Sequence, residues 1–168
     1  MTDMGKKDTS SALPRTNAMR MLDAAHIPYE VLTYEVDEND LSGMHIAEQL
    51  EYPHEMIFKT LVAKGDKTGY MVFCIPVAKE IDLRLAAAVT GNKKIEMVHV
   101  KDLWGLTGYI RGGCSPIGMK KKFPTYFDTS ALDFERITVS AGMRGTQLLL
   151  DRARLIAFVE GVTADVTV

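Results

Sequence analysis

The sequence predicts a single α+β domain built on a mixed or antiparallel sheet, and three observations carry that prediction. Segments rich in aromatic and β-branched residues are interleaved with helical ones, without the regular strand–helix alternation of a doubly wound sheet. Two apolar runs, Met56 to Lys64 and Tyr70 to Val77, flank the turn Gly65-Asp66-Lys67-Thr68-Gly69 and read as a β-hairpin. The 168 residues are 46% hydrophobic and 25% charged, which suffices for one core of ordinary composition.

Taken in order, residues 1–15 are polar and read as a flexible tail, and residues 16–168 as the domain. Thr16 is placed to cap a helix through Met19, Met21, Leu22 and Ala25, which His26 and Pro28 end. Tyr29 to Val36 reads as a strand. Ser42 can cap a short helix carrying Ile46, Ala47 and Leu50 on one face. The returning strand of the hairpin, Tyr70 to Val77, is apolar throughout, so both its faces should be buried. Asp82 then caps a helix through Val89 that Gly91 stops, Ile95 to Val98 is a short strand, and His99 to Trp104 a short helix. Arg136 to Ser140 and Gln147 to Leu150 are strands around an Ala-Gly-Met-Arg-Gly turn. Asp151 caps the last helix, Gly161 ends it, and Thr163 to Val168 adds a closing strand.

The formal net charge of −2 excludes a global basic field of the kind that coats nucleic acid, while leaving room for a local patch. No stretch approaches the roughly 20 apolar residues of a membrane span. Cys74 and Cys114, with no secretory segment before them, point to free thiols in a reducing cytoplasm. The four histidines form no metal-ligand spacing, and no phosphate-binding or nucleophile-elbow motif occurs, so neither metal nor cofactor is predicted.

The stretch from Gly108 to Asp128 holds four of the thirteen glycines, two prolines and the run Lys120, Lys121, Lys122. A permissive backbone beside three ammonium groups suits an anionic or carbonyl-bearing ligand, but also an ordinary surface turn. Cys114 within it is a nucleophile candidate if a base or cation lowers its pKa; the alternative is a thiol that fills space. Lys59 interrupts an apolar strand on the face opposite Phe58, either to meet an anion or carbonyl oxygen, or as a solvated edge charge.

Together, Phe58-Lys59-Thr60-Leu61-Val62, Gly108-Tyr109-Ile110 with Gly112-Gly113-Cys114-Ser115-Pro116-Ile117-Gly118, Asp128, and Val139-Ser140-Ala141-Gly142 with Gly145 resemble the YbaK-type aminoacyl-tRNA deacylases, of the prolyl-tRNA synthetase editing-domain superfamily. The resemblance runs from about Thr16 to about Asp165. It implies a mixed, barrel-like sheet flanked by helices, and hydrolysis in trans of mischarged Cys-tRNA(Pro) or Cys-tRNA(Cys). It also implies a transient complex with prolyl-tRNA synthetase. The residues it implicates in catalysis are Lys59, Gly113 and Ser115. Tyr34, Ser42, Thr60, Gly112, Cys114 and Asp128 are implicated in substrate binding. Arg111 and Lys120 to Lys122 would meet the tRNA backbone. Ser42 departs from members that carry an aromatic residue there, which bears on the amino-acid pocket. Three alternatives remain: a deacylase for another small residue such as alanine, a silent tRNA- or nucleotide-binding module, and a thiol hydrolase using Cys114.

Overall fold

The structure is a computed structural model and describes residues 14–41 and 43–168. Helix α1 (Asn17–Ala24) begins where the Thr16 hydroxyl accepts the Met19 N–H, and it buries Ala18, Met19 and Leu22. Asp82 accepts from the Arg84 and Leu85 N–H groups to start α3 (Leu83–Thr90), and Asp151 from that of Arg154 to start α5 (Arg152–Phe158). All three caps follow from a short oxygen-bearing side chain ahead of an apolar periodic run. Helix α2 (Gly43–Gln49) occupies its expected place; its expected cap, Ser42, lies outside the described residues. Helix α4 (Val100–Thr107) runs three residues beyond the expected Trp104 and closes at Gly108.

Among the described residues eight strands form two sheets. In the smaller, β7 (Thr146–Asp151) lies between β1 (Tyr29–Thr33) and β6 (Arg136–Ser140), antiparallel to both. The larger has the order β4 (Ile95–Met97), β2 (Phe58–Gly65), β3 (Gly69–Pro76), β5 (Thr125–Asp128), β8 (Val162–Ala164). Its first two pairings are antiparallel and its last two parallel, so the predicted mixed sheet is observed. The barrel-like expectation needs correction. Among the described residues the sheets are joined by one parallel bridge, Ile57 to Thr138, and do not close.

The hairpin is in register from Phe58–Pro76 to Gly65–Gly69. Strand β3 is buried on both faces, as its unbroken apolar run requires. Met71, Phe73 and Ile75 pack toward Ala86 and Ala87 of α3, whereas Val72 and Cys74 face the main core with Phe58, Ile137, Leu148 and Leu155. That main core is shared by both sheets. A third cluster, Ala47, Leu50, Ile57 and Val77, seats α2 over the junction between them.

Four further boundaries differ from expectation. Strand β1 stops at Thr33, short of the expected Val36. A 3₁₀ turn, His54–Met56, takes the start of the expected second strand. Strand β8 covers Val162–Ala164 and leaves the final residues outside it. The last four residues of the expected loop, Thr125–Asp128, are strand β5.

Candidate active site

Strand β2 is paired with β3 along its whole length, but β4 covers its other edge only from Ala63 to Gly65. Val98 N–H donates to Val62 O just beyond that pairing, and the bridge at Ile57 holds the opposite end. In an antiparallel ladder successive residues turn their N–H and C=O groups to alternate sides. Since Val62 points its carbonyl away from β3, Thr60 does the same, between the two attachments. A cleft of about 590 Å³ opens at this gap. Phe58 to Val62 form one wall, Val77 to Glu80 and Leu41, Gly43, Met44 and Ile46 contribute others, and Ser140 and Gln147 reach it from the smaller sheet.

Lys59 and Thr60 both line the cleft. The Lys59 side chain is partly buried, and its Nζ donates to Val77 O at 3.4 Å. Burial lowers the ammonium's pKa from its ordinary value, and the Glu80 carboxylate opposes that shift. Among the described residues the other cationic side chains of the lining are Lys79 and Arg111, and Glu80 is its one acid. An anionic or carbonyl oxygen entering here meets a net positive set of groups whose strength grows as water is expelled.

The glycine-rich loop supplies the facing wall through Arg111, Gly112 and Cys114, but it is largely buried rather than exposed as expected. Gly112 adopts φ +85°, which any larger residue avoids, and Arg144 Nε donates to Arg111 O at 2.8 Å behind it. Gly113 lies so close to the next turn that a Cβ would sit 3.1 Å from Arg144 N and 3.2 Å from Met143 Cα. Both obstacles are backbone. Gly113→Ala should therefore force the two loops apart, costing about 1–3 kcal/mol and lowering Tm, with activity falling alongside. Thermal unfolding beside a rate measurement checks this; an unchanged Tm would refute the tight contact.

Several of the expected site residues are engaged in contacts of their own. Gly113 N–H is already donated to Ile110 O, so it is not free to hold an oxyanion. Ser115 is wholly buried, does not line the cleft, and uses its hydroxyl to accept the Ile117 N–H inside the turn. The Cys114 thiol does line the cleft, but burial pushes its pKa up to about 12, with a Thr107 hydrogen bond working against the shift. Burial thus disfavours the thiolate that a thiol hydrolase would need.

Other expected residues lie elsewhere. Asp128 is 3% exposed and away from the cleft; it accepts from Ser130, Val166 N–H and Thr167, tying the C-terminal segment to β5. Tyr34 lines a small neighbouring recess with Leu41, Gly112 and Arg144. Its phenol pKa is raised by burial, against hydrogen bonds with Gly145 and Gln147. Lys121 and Lys122 line a separate cavity with Met21 and Phe158, and Lys122 is ion-paired to Glu160. Of the cationic residues expected on the tRNA backbone, only Arg111 is in the cleft.

Lys79, Glu80, Ser140 and Gln147 also line the cleft, although no site role is expected of any of them from the sequence. Gln147 carried a readable signal, a polar amide opening an otherwise aliphatic strand. It is buried and accepts from Thr138 Oγ1 at 3.1 Å. Ser140 accepts the Gly142 N–H and so shapes the turn that abuts Gly113.

Comparison with known proteins bears on this cleft. A family model described as the aminoacyl-tRNA editing domain matches residues 44–158. The chain is 47% identical over 164 residues to a candidate Cys-tRNA(Pro)/Cys-tRNA(Cys) deacylase of Enterococcus faecalis, EbsC, covering 98% of each. Among solved structures, a candidate trans-editing enzyme for prolyl-tRNA synthetase superposes with TM-score 0.75 at 21% identity, over 91% of this chain and 98% of that one. The hypothetical protein APE2540 does so with TM-score 0.79 at 19% identity, over 89% and 97%. These two likenesses establish the shared fold.

Proposed function

Because the chain belongs to the aminoacyl-tRNA editing domain family, we propose that it is a deacylase acting in trans, which hydrolyses the ester of mischarged Cys-tRNA(Pro) and, in the same way, Cys-tRNA(Cys). The 47% identity to the candidate deacylase over 98% of both chains carries this reading. The cleft supports it. At about 590 Å³ it has the size of a small-ligand site, enough for one amino acid and the sugar that bears it. A synthetase pocket rejects a near-isostere of its substrate poorly, so a second hydrolytic site is the physical remedy.

The reaction follows from substrate chemistry held by protein groups. The cysteinyl thiol attacks its own ester carbonyl, the new S–C bond replacing the C–O bond to the terminal ribose. The thiol proton goes to the departing ribose oxygen, and water then opens the cyclic thioester to free cysteine. Proximity in such an intramolecular step contributes up to roughly 7–11 kcal/mol when orientation is good. Lys59 supplies positive charge to the developing oxyanion, and the open N–H of Thr60 is a second donor on the same strand. Gly112 and Arg111 form the facing wall, with Val77, Leu103 and Ile46 offering apolar contact to the side chain. Choice of tRNA comes, on this reading, from a complex with prolyl-tRNA synthetase in the cytoplasm, since the cleft itself reaches only the acceptor end.

The test is deacylation of labelled Cys-, Ala- and Pro-tRNA(Pro), together with a seryl ester that replaces the thiol by a hydroxyl. Rapid loss of cysteine alone, at least about a hundredfold faster than serine, is the expected result. Cys114→Ala should retain full activity. Hydrolysis of alanyl or seryl esters at the cysteinyl rate would overturn the thiol-assisted route and move the specificity to another small residue.

A further inference from the structure

Helix α4 presents two stripes of opposite character. Leu103 and Thr107 point inward, Leu103 against the main core and Thr107 buried. Val100 and Trp104, one turn apart on the other stripe, are 61% and 62% exposed. Residues four apart on a helix are neighbours, with Cβ atoms about 5–6 Å apart. Val100 and Leu103 line the cleft, as does the half-exposed Met97 just before the helix. An indole is thus held in solvent one helical turn outside the mouth, with an aliphatic surface leading inward. A large exposed aromatic beside a pocket is the informative exception to burial.

We propose that Trp104 is a stacking platform for an unpaired base of the RNA 3′ end, with Val100 and Met97 continuing the contact into the cleft. The inference rests on the deacylase reading and adds to it a residue that grips the nucleic acid rather than the ester. Every base has a π-face that stacks on an aromatic ring irrespective of sequence, which suits a single-stranded end carrying no identity of its own. The patch is one ring and two aliphatic side chains. A stable protein interface buries about 800 Å² on each partner, far more than this. Arg111, in the lining of the same cleft as Val100 and Met97, gives the phosphates of such an end a cation to meet.

Trp104 is the chain's one tryptophan, so its emission reports on this position alone. The full chain is titrated with a short 3′-labelled single-stranded RNA ending in CCA, following both indole emission and label anisotropy. Saturable quenching is expected, with Kd raised about tenfold in Trp104→Ala and restored toward wild type in Trp104→Phe. The exposure of the side chain means neither variant removes core packing. In steady state, Trp104→Ala should raise KM for the aminoacyl-tRNA and leave kcat unchanged. Equal RNA affinity in wild type and Trp104→Ala, beside normal hydrolysis, would overturn the platform and leave the deacylase reading intact. Binding of prolyl-tRNA synthetase that is lost in Trp104→Ala, beside an RNA affinity equal in both proteins, would assign the patch to a protein and overturn the platform as well. Wild-type protein that neither hydrolyses nor binds would bring down both.

Discussion

Lys59→Ala is expected to lower kcat/KM for Cys-tRNA(Pro) hydrolysis by about 100-fold or more, the scale of losing one preorganised donor to an oxyanion. The ammonium is partly buried, and among the described residues it donates to Val77 O and shares the cleft with one acid, Glu80. The hydrogen bond the variant loses, to Val77 O, is a long one at 3.4 Å, so Tm should change little. A second readout separates charge from shape. Because burial lowers the Lys59 pKa despite Glu80, activity that needs the ammonium should fade with rising pH sooner than for an ordinary lysine. Lys59→Arg keeps its charge throughout that range and should lose that alkaline decline. Wild-type rates in Lys59→Ala would end its assignment to the chemistry.

The largest effect on stability belongs to Asp128→Ala, at about 3 kcal/mol. The carboxylate accepts the Val166 N–H and the Thr167 hydroxyl on one oxygen and the Ser130 N–H and hydroxyl on the other. Alanine would leave these groups facing a dry site. Burial by itself raises the pKa of this carboxyl, but the hydrogen bonds from Ser130, Val166 and Thr167 outweigh it and hold the pKa below the usual range. The sign of the linkage follows. A carboxyl depressed in the folded state stabilises above its unfolded pKa of about 3.9, and that contribution is lost as pH falls through the lower folded value. Denaturant unfolding of wild type and variant should thus differ most at neutral pH and converge in acid. A gap that stays constant down to pH values well below the carboxylate range would show that the charge is not what Asp128 contributes.

The parts of the fold that could be read in advance were those settled by neighbours in sequence. Thr16, Asp82 and Asp151 each reach an N–H two or three residues on, and the hairpin needs only a glycine-flanked turn between apolar runs. Strand β5 escaped because nothing local defines it. It is four residues, Thr-Tyr-Phe-Asp, after a proline, and it exists by parallel pairing to β3 and β8, both distant in the chain. The site divides on the same principle. Lys59, Thr60, Arg111, Gly112 and Cys114 do meet at one cleft. Ser115 and Asp128, expected there from resemblance, prove to be internal hydrogen-bond acceptors of a turn and a strand end. Whether a polar side chain faces a ligand or its own backbone depends on the direction of one turn, which a residue type does not encode.

Gly113 pressed against the Met143 and Arg144 backbone has an evolutionary corollary. The two sides of the cleft are not equally free to vary. The glycine-rich side doubles as interior, so a substitution that remodels it disturbs packing on both of its faces. Met44, across the opening, is exposed and can change size at little structural cost. Descendants of this sequence that come to accept a different amino acid should therefore differ along the α2 wall, while the buried loop stays as it is and serves as the fixed template.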